Sequence, residues 1–489
     1  MPCVIGLDLG TTSSKAVLLD STGKLIAKAS SAPYPLHSKQ GSATQNPDDI
    51  WRGARVALRD LVQQCETVNN IAGICLSGAM HSVVGLNREG LPTAPAITWV
   101  DQRPAALVPQ LQTELGNDRA ALYARTGCPL QTPYHLPRLR WWQQEHGPAT
   151  LYVSLKDWVF WQLTGEFWTD VGLASTTGLV DIHSFTWDKT ALAHAHISPT
   201  NLPQLKAPTD TSMLAAEVAQ DIGLPSIPVI LGGSDGALAN LGSSAGLPQR
   251  AAVTVGTSGA VRLLSTTPLL DDADKARTWC YVLTEGRYVA GGAINNGGIA
   301  LQYLREKLFP ECSTTQLINE ATEINLHTRR PLVLPYLSGE RSPHWRSDAT
   351  ATIHGLTLEQ GRGALVRSVL EAVCFCLADI WQILRPQTDT DTVYLSGGIC
   401  KSQFWSQILA DVFGVDIVML DAADASAVGA AMLGHHALGT ADLAGLSDAL
   451  PVGERLRPNA DAHKYYLEKL SAFRGLFEQL YKSFPHEKI

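Results

Sequence analysis

Apolar and polar positions at the start of the chain alternate, break and resume. Residues 4–9 form a short apolar run interrupted by Asp8. Gly10 ends it, the small hydroxyl residues Thr11, Thr12, Ser13 and Ser14 follow, and branched apolar residues return after Lys15. This pattern predicts two strands joined by a tight turn. Gly23 and Lys24 mark the next turn, and residues 25–27 a third strand. Asn46, Pro47, Asp48 and Asp49 then supply a cap and an acidic first turn ahead of Ile50, Trp51, Ala54, Leu58, Leu61 and Val62, which recur near the helical period. The chain therefore begins strand, strand, strand, helix.

Residues 71–76 read as a further strand ending in the polar stretch 77–82. Residues 83–86 are another short apolar run, turning at 87–90 and leading to 96–103. Helical patterns cover 104–115 and 118–126, and residues 136–142 are rich in aromatics. A helix opens at Ser154 and ends at Thr164 and Gly165. The tryptophans clustered here read as bulky core or a wall between domains, with sugar stacking by one of them as the alternative. Residues 228–231 are a buried-strand candidate ending in Gly232, Gly233, Ser234, Asp235 and Gly236. From residue 251 the plan of the opening repeats: strand, a glycine and hydroxyl turn, and a strand that resumes at Val261. This points to an internal duplication, with domains at 1–245 and 246–489. In the second half, strands are predicted at 288–290, 332–335, 392–399 and 417–420, and helices at 363–384, 401–413, 425–433 and 462–483. The third of these helices is alanine-rich and suited to close packing. Alternation of this kind gives two α/β domains.

Composition narrows the class. At 489 residues the chain is long enough for two cores with a cleft between them. It is 45% hydrophobic and 17% charged with a net charge of -8, which gives no electrostatic case for a nucleic-acid partner. The 9 cysteines show no metal spacing, and their odd number favours reduced thiols. The first residues lack a basic segment and run into a strand, and no apolar run is long enough to span a bilayer, so a cytoplasmic protein without a membrane partner is expected.

Three glycine and hydroxyl turns fall at predicted strand ends: Gly10 to Ser14, Gly256 to Gly259, and Ser396 to Gly398. Ligands of α/β proteins gather at such ends, and two turns from opposite halves could clamp a polyphosphate. Gly10, Thr11, Thr12 and Ser13 would offer amides and hydroxyls, Lys15 a positive charge, and Asp8 an oxygen ligand for a divalent cation of the Mg2+ type. An ordinary hairpin with a polar tip is the alternative. The P-loop and dinucleotide spacings are absent. A kinase also needs a base for the acceptor hydroxyl, and Asp235 stands where one would; it could equally cap the following helix. Met80, His81, Trp99, Asp101 and Arg103 form two polar clusters suited to a polyol. Arg103 either pairs with Asp101 as a structural salt bridge or binds a substrate carboxylate.

These residues resemble the FGGY family of carbohydrate kinases over nearly the whole chain, through residues 6–15, 77–81, 97–103, 232–236, 255–260, 334–343 and 395–398. The resemblance implies two ribonuclease-H-like domains related to actin and hexokinase, with sugar deep in a catalytic cleft and ATP mainly on the second domain. It implies Asp235 as general base and Asp8 near Mg2+. Thr12, with Gly256, Thr257, Ser258 and Gly259, would surround the phosphates, and Gly397, Gly398 and the neighbouring Ser402 the adenosine. The acceptor would be an open-chain sugar or sugar acid. Residues 79–83, 97–101, 234–236 and 292–298 are most similar to the family's gluconate kinases, which implies D-gluconate as substrate and 6-phosphogluconate as product. Xylulose kinases usually carry glycine after the Met-His pair and asparagine after the catalytic aspartate, where this chain has Ser82 and Gly236. Conversion of D-xylulose to xylulose 5-phosphate is the alternative, and a nucleotide-dependent sugar sensor the non-enzymatic one. A homodimer is left open.

Overall fold

The opening hairpin organises the first sheet. In the computed structural model, which describes residues 1–247, 249–420 and 424–482, strand β1 (Cys3–Leu9) pairs antiparallel with β2 (Ser14–Asp20), placing Asp8 opposite Lys15. β3 (Leu25–Ser30) pairs antiparallel with β2. Helix α1 (Pro47–Val62) starts where expected, because the Asn46 side chain accepts from the Asp48 amide and Pro47 stands in the first turn. Its buried face carries Ile50, Ala54, Leu58 and Leu61. β4 (Ile71–Gly78) pairs parallel with β1. Helices α2 (His135–His146), α3 (Leu155–Thr164) and α4 (Val171–Ser175) come next, α3 beginning in a capping box between Ser154 and Asp157. Then come β5 (Thr211–Met213), β6 (Pro228–Ser234) and α5 (Asp235–Asn240). The sheet order is β5-β6-β4-β1-β2-β3, with β6 parallel to β4 and β5 antiparallel to β6.

A second sheet repeats this plan. β7 (Arg250–Val255) pairs antiparallel with β8 (Gly259–Ser265) and parallel with β9 (Thr392–Gly397). Between β8 and β9 runs the long buried helix α6 (Arg362–Leu384). Helix α7 (Gln403–Phe413) leads to β10 (Asp416–Met419), parallel to β9, and β11 (Arg455–Leu456) closes antiparallel on β10. The run β2-β1-β4-β6-β5 and the run β8-β7-β9-β10-β11 therefore share one sequence of pairings: antiparallel, parallel, parallel, antiparallel. This is the α/β fold with two sheet-containing lobes expected of actin and hexokinase relatives.

By contacts the chain divides into two units that are discontinuous in sequence. The first contains Met1–Pro248, Leu264–Ala290 and Ala423–Leu450, and the second Gln249–Leu263, Gly291–Ala422 and Pro451–Ile489. Helix α8 (Ala425–Ala437) thus belongs with β1 rather than with the strands that precede it. A methyl group on Gly6 of β1 would overlap the carbonyl oxygen of Ala427. One on Gly429 would overlap that of Leu238, and one on Gly242 that of Ala425. The small residues of α8 let backbone meet backbone, as its alanine-rich composition predicts.

Several elements differ from the sequence pattern. β8 resumes at Gly259, two residues before Val261. α7 starts at Gln403 because the Ser402 hydroxyl accepts the Trp405 amide at 3.2 Å and caps it there. The strand Trp279–Thr284 is buried at every position, so it shows no alternation to betray it. The final helix runs Ala460–Lys482, and its last predicted residue, 483, lies outside the described residues. Trp142 and Trp158 are core residues, in line with the bulky-core reading.

Substituting Gly429→Ala should destabilise the protein by about 3 kcal/mol, the upper end of ordinary overpacking, because the obstacle is backbone. Gly475→Ala, on a helix where the added methyl meets nothing within 4 Å, should instead stabilise by about 0.5–1 kcal/mol. Urea unfolding midpoints of the two variants check both signs.

Candidate active site

The hairpin turn is tied down by its carbonyls. The Tyr34 hydroxyl donates to the Gly10 carbonyl, Gln45 Nε2 to the Thr11 carbonyl at 2.7 Å, and the Tyr34 amide to the Thr12 carbonyl at 3.0 Å. In a planar trans peptide the N–H points opposite to the C=O, so the amides of Thr11, Thr12 and Ser13 are turned outward together. Successive outward amides make an anion-binding concavity. Ser14 is buried in β2, its amide donating to Ser31 Oγ at 3.1 Å. Lys15 pairs with Asp424 at 2.9 Å, and Lys28 reaches the same carboxylate at 3.6 Å. Asp424, just ahead of α8, adopts a left-handed conformation with φ of 63°.

Asp8 stands at the C-terminal end of β1, opposite Ser77 of β4, whose hydroxyl donates to Asp8 Oδ1 at 2.6 Å. Ser77 is in turn opposite Gly233 of β6, two residues before Asp235. The parallel strands thus bring Asp8 and Asp235 to one end of one sheet. Burial, and then the negative charge of Asp235, push the Asp8 carboxyl up to about 7; Ser77 and Lys15 oppose the shift. Asp235 is the first residue of α5, and its Oδ1 accepts the Gly236 amide at 2.7 Å. Ser234 occupies the cap position without a side-chain cap bond. Asp235 is partly exposed, while Ser234 and Gly236 on either side are buried.

The two predicted polar clusters lie in this unit. His81, beside the partly exposed Met80, has φ of 65° and packs edge-on against Tyr134 with ring centroids 5.2 Å apart. Trp99 Nε1 donates to Thr11 Oγ1 at 3.2 Å, joining the second cluster to the hairpin turn. Asp101 is fully buried and accepts the Ala43 amide at 2.9 Å. Of the two roles open to Arg103, the fold contains the salt bridge: Nη2 lies 2.6 Å from Asp101 Oδ2, and the guanidinium stacks 4.2 Å from the Trp141 ring centroid. Arg138 escaped the sequence reading. It is fully buried on α2 and donates to the carbonyls of Thr98, Trp99 and Asp101 at 2.7, 3.2 and 3.3 Å, holding that loop in place. Burial lowers its pKa to about 10. Its position in an aromatic-rich helix disguised it.

In the second unit, Gly256, Thr257, Ser258 and Gly259 join β7 to β8. Carbonyls of this turn accept from the Gly297 amide at 3.1 Å and the Gly298 amide at 2.7 Å. Ser396, Gly397 and Gly398 lie alongside, since Val255 pairs with Gly397 and Thr254 Oγ1 is 3.0 Å from Ser396 Oγ. Gly397 has φ of 95°, and a methyl there would approach the Val255 carbonyl to 2.5 Å, so the turn requires glycine. Ser402 is the α7 cap. Glu340, also unanticipated as a site residue, is buried, and burial pushes its carboxyl up to about 7. It accepts the amides of Asn295 and Arg341 at 2.6 and 2.8 Å, bracing the segment that leads to Gly297.

Comparison with known proteins identifies the family. The N-terminal domain of the FGGY family of carbohydrate kinases matches residues 3–242, and its C-terminal domain residues 251–438. A gluconokinase from Bacillus subtilis (strain 168) is 32% identical over 97% of this chain and 95% of its own. A xylulose kinase from Escherichia coli (strain K12) is 29% identical over 97% of this chain and 99% of its own. The crystal structure of gluconate kinase from Lactobacillus acidophilus superposes with a TM-score of 0.92 at 30% identity, covering 98% of each chain. The chain belongs to the FGGY family of carbohydrate kinases and is a phosphotransferase acting on a sugar or sugar acid. Kinases of this family depend on ATP and Mg2+. Among the described residues no helix is long and apolar enough to cross a membrane.

The residues present fit Mg2+. No group of three or more His, Cys, Asp or Glu collects among the described residues, so a cation here would be held by one or two carboxylates with water and phosphate oxygens, as Mg2+ prefers. The raised Asp8 carboxyl gives a checkable pH dependence. Between the ordinary aspartate range and about 7 the folded protein holds a proton that the unfolded chain has released, so stability falls as pH rises through that window. Asp8→Asn should flatten this fall when urea midpoints are compared at about pH 5.5 and about pH 8 without divalent ions. Added Mg2+ at the higher pH should stabilise the parent and not the variant; equal slopes in both proteins would contradict the assignment.

Proposed function

We propose that the chain transfers the γ-phosphoryl group of ATP to the terminal hydroxyl of D-gluconate, forming 6-phosphogluconate. The observation that carries the reading is the position of Asp235 beside Asp8 at the C-terminal ends of parallel strands of one sheet. Asp235 takes the proton from the acceptor hydroxyl as its oxygen bonds to the γ-phosphorus and the bond to ADP breaks. Its partial exposure lets it meet a substrate while its backbone is held. Asp8 would hold Mg2+, which would offset charge on the phosphates. Outward amides of Thr11, Thr12 and Ser13, with Gly10 giving the turn and Lys15 a nearby charge, bind phosphate; Gly256, Thr257, Ser258 and Gly259 do so in the second unit. Gly397, Gly398 and Ser402 line the adenosine, and Met80, His81, Trp99, Asp101 and Arg103 the sugar.

Gluconate is favoured by Ser82 and Gly236 and by the gluconokinase relatives. One observation favours D-xylulose instead: Asp101 already engages the guanidinium of Arg103, which leaves an uncharged ketose the simpler partner.

A coupled ADP-release assay with gluconate, xylulose, ribulose, glycerol and fuculose should give the highest kcat/KM with gluconate. A xylulose preference would transfer the assignment, and ATP and sugar binding without turnover would replace the enzyme by a sensor. Asp235→Asn should lower kcat at least about a hundredfold, the usual weight of a positioned base. Near-normal turnover in that variant removes Asp235 from the role.

A further inference from the structure

Asp235 comes after a break in the strand ladder. Val229 and Ile230 pair with Ile74 and Cys75, and pairing resumes with Gly233 opposite Ser77, so Leu231 and Gly232 together face Leu76. This is a β-bulge, which bends a strand and re-aims the residues beyond it. Gly232 has φ of 76°, and any side chain there would overlap the Leu76 carbonyl. Around the bulge, three backbone groups have partners other than β4. The Leu231 amide donates to the Asp210 carbonyl at 3.1 Å and the Gly232 amide to the Pro208 carbonyl at 2.9 Å. The Leu231 carbonyl accepts from Lys156 Nζ at 2.9 Å.

That third partner is unusual. Lys156, on α3, is buried with its ammonium wholly out of solvent, and Asp170, equally buried, lies 2.6 Å from it. Asp170 is itself committed, since its Oδ1 accepts the Leu173 amide and caps α4. The lysine stem passes beneath Gly78 at the end of β4, where a methyl group would come within 2.6 Å of Lys156 Cβ. Taking an ion pair out of water is costly, and a neutral donor would satisfy one carbonyl more cheaply. A charged donor grips that carbonyl more firmly than a neutral one.

Resting on the reading of Asp235 as base, we infer that Lys156, with Asp170 as counter-ion, is a positioning residue for the reaction: it locks the Leu231–Gly232 bulge and so sets the direction of the Asp235 carboxylate. Lys156 touches neither substrate nor reacting atoms. A merely structural pair would hold α3 and α4 to the sheet and leave turnover per folded molecule unchanged.

Three variants separate the two. Lys156→Met leaves Asp170 buried and alone; Lys156→Met with Asp170→Asn makes the pair neutral and keeps an oxygen for the Leu173 amide, which keeps the fold available if the single variant fails. Lys156→Gln retains an N–H donor for Leu231. In the double variant the urea midpoint should return toward the parent, since neutral replacements of buried pairs are tolerated, while kcat with gluconate and Mg2+-ATP stays about 10- to 100-fold low. KM for ATP should not move, and Lys156→Gln should recover part of kcat. A double variant with parental stability and kcat within about twofold of the parent overturns the inference. Should the parent phosphorylate no sugar, the proposed function fails by itself. Amide exchange at Leu231, Gly232 and Gly233 then decides: faster exchange in the double variant supports the lock, and unchanged exchange sinks it.

Discussion

Backbone-to-backbone contact between α8 and its neighbours is the constraint on which the first unit depends. α8 lies against β1 at Gly6 and, through Gly429 and Gly242, against α5 and the segment after it. Gly6 is two residues from Asp8, and Leu238, whose carbonyl meets Gly429, is three residues from Asp235. One helix therefore bears on both elements that carry the acidic pair. Gly434, with the side chains of Val4 and Cys75 against it, extends the close packing to β4, where Ser77 joins Asp8. Side chains between these elements would force them apart, and the spacing of the carboxylates with them.

That spacing creates a conflict of charge. Burial first, and then repulsion from the second carboxylate at the same sheet end, lead the Asp8 carboxyl to hold its proton to about 7. The nearby cation does not cancel the conflict, because Asp424 already pairs with Lys15 and itself adds to the repulsion. Lys156 and Asp170 show the opposite arrangement, a buried pair whose charges balance and whose hydrogen bonds reach backbone. The first unit thus carries an acidic pair at one sheet end and, nearby, a buried ion pair whose charges balance.

Much of this was legible in the chain. The hairpin, the capped α1, the glycine ends of β6 and β9 and the small-residue helix are local signals, and each formed near its expected bounds. Two kinds of information were not local. Arg138 and Lys156 carry no motif: one sits among tryptophans and leucines, the other at the start of an aromatic helix, and only the fold shows that their charges end on backbone carbonyls. The bulge before Asp235 is a mismatch between β6 and β4, and a mismatch of register cannot be read from either strand alone. The sequence likewise allowed two partners for Arg103, and only the fold shows its ion pair with the buried Asp101.

The duplicated plan sets a carboxylate and a hydroxyl at equivalent positions. Asp8 stands two residues before Gly10 and hydrogen-bonds Ser77 on the parallel neighbour; Thr254 stands two residues before Gly256 and hydrogen-bonds Ser396 on its own parallel neighbour. The two positions are equivalent in strand, register and partner. A carboxylate in the first and a hydroxyl in the second give the same pairing geometry with different charge. One architecture so repeated carries a carboxylate at this position in one unit and a hydroxyl at the same position in the other.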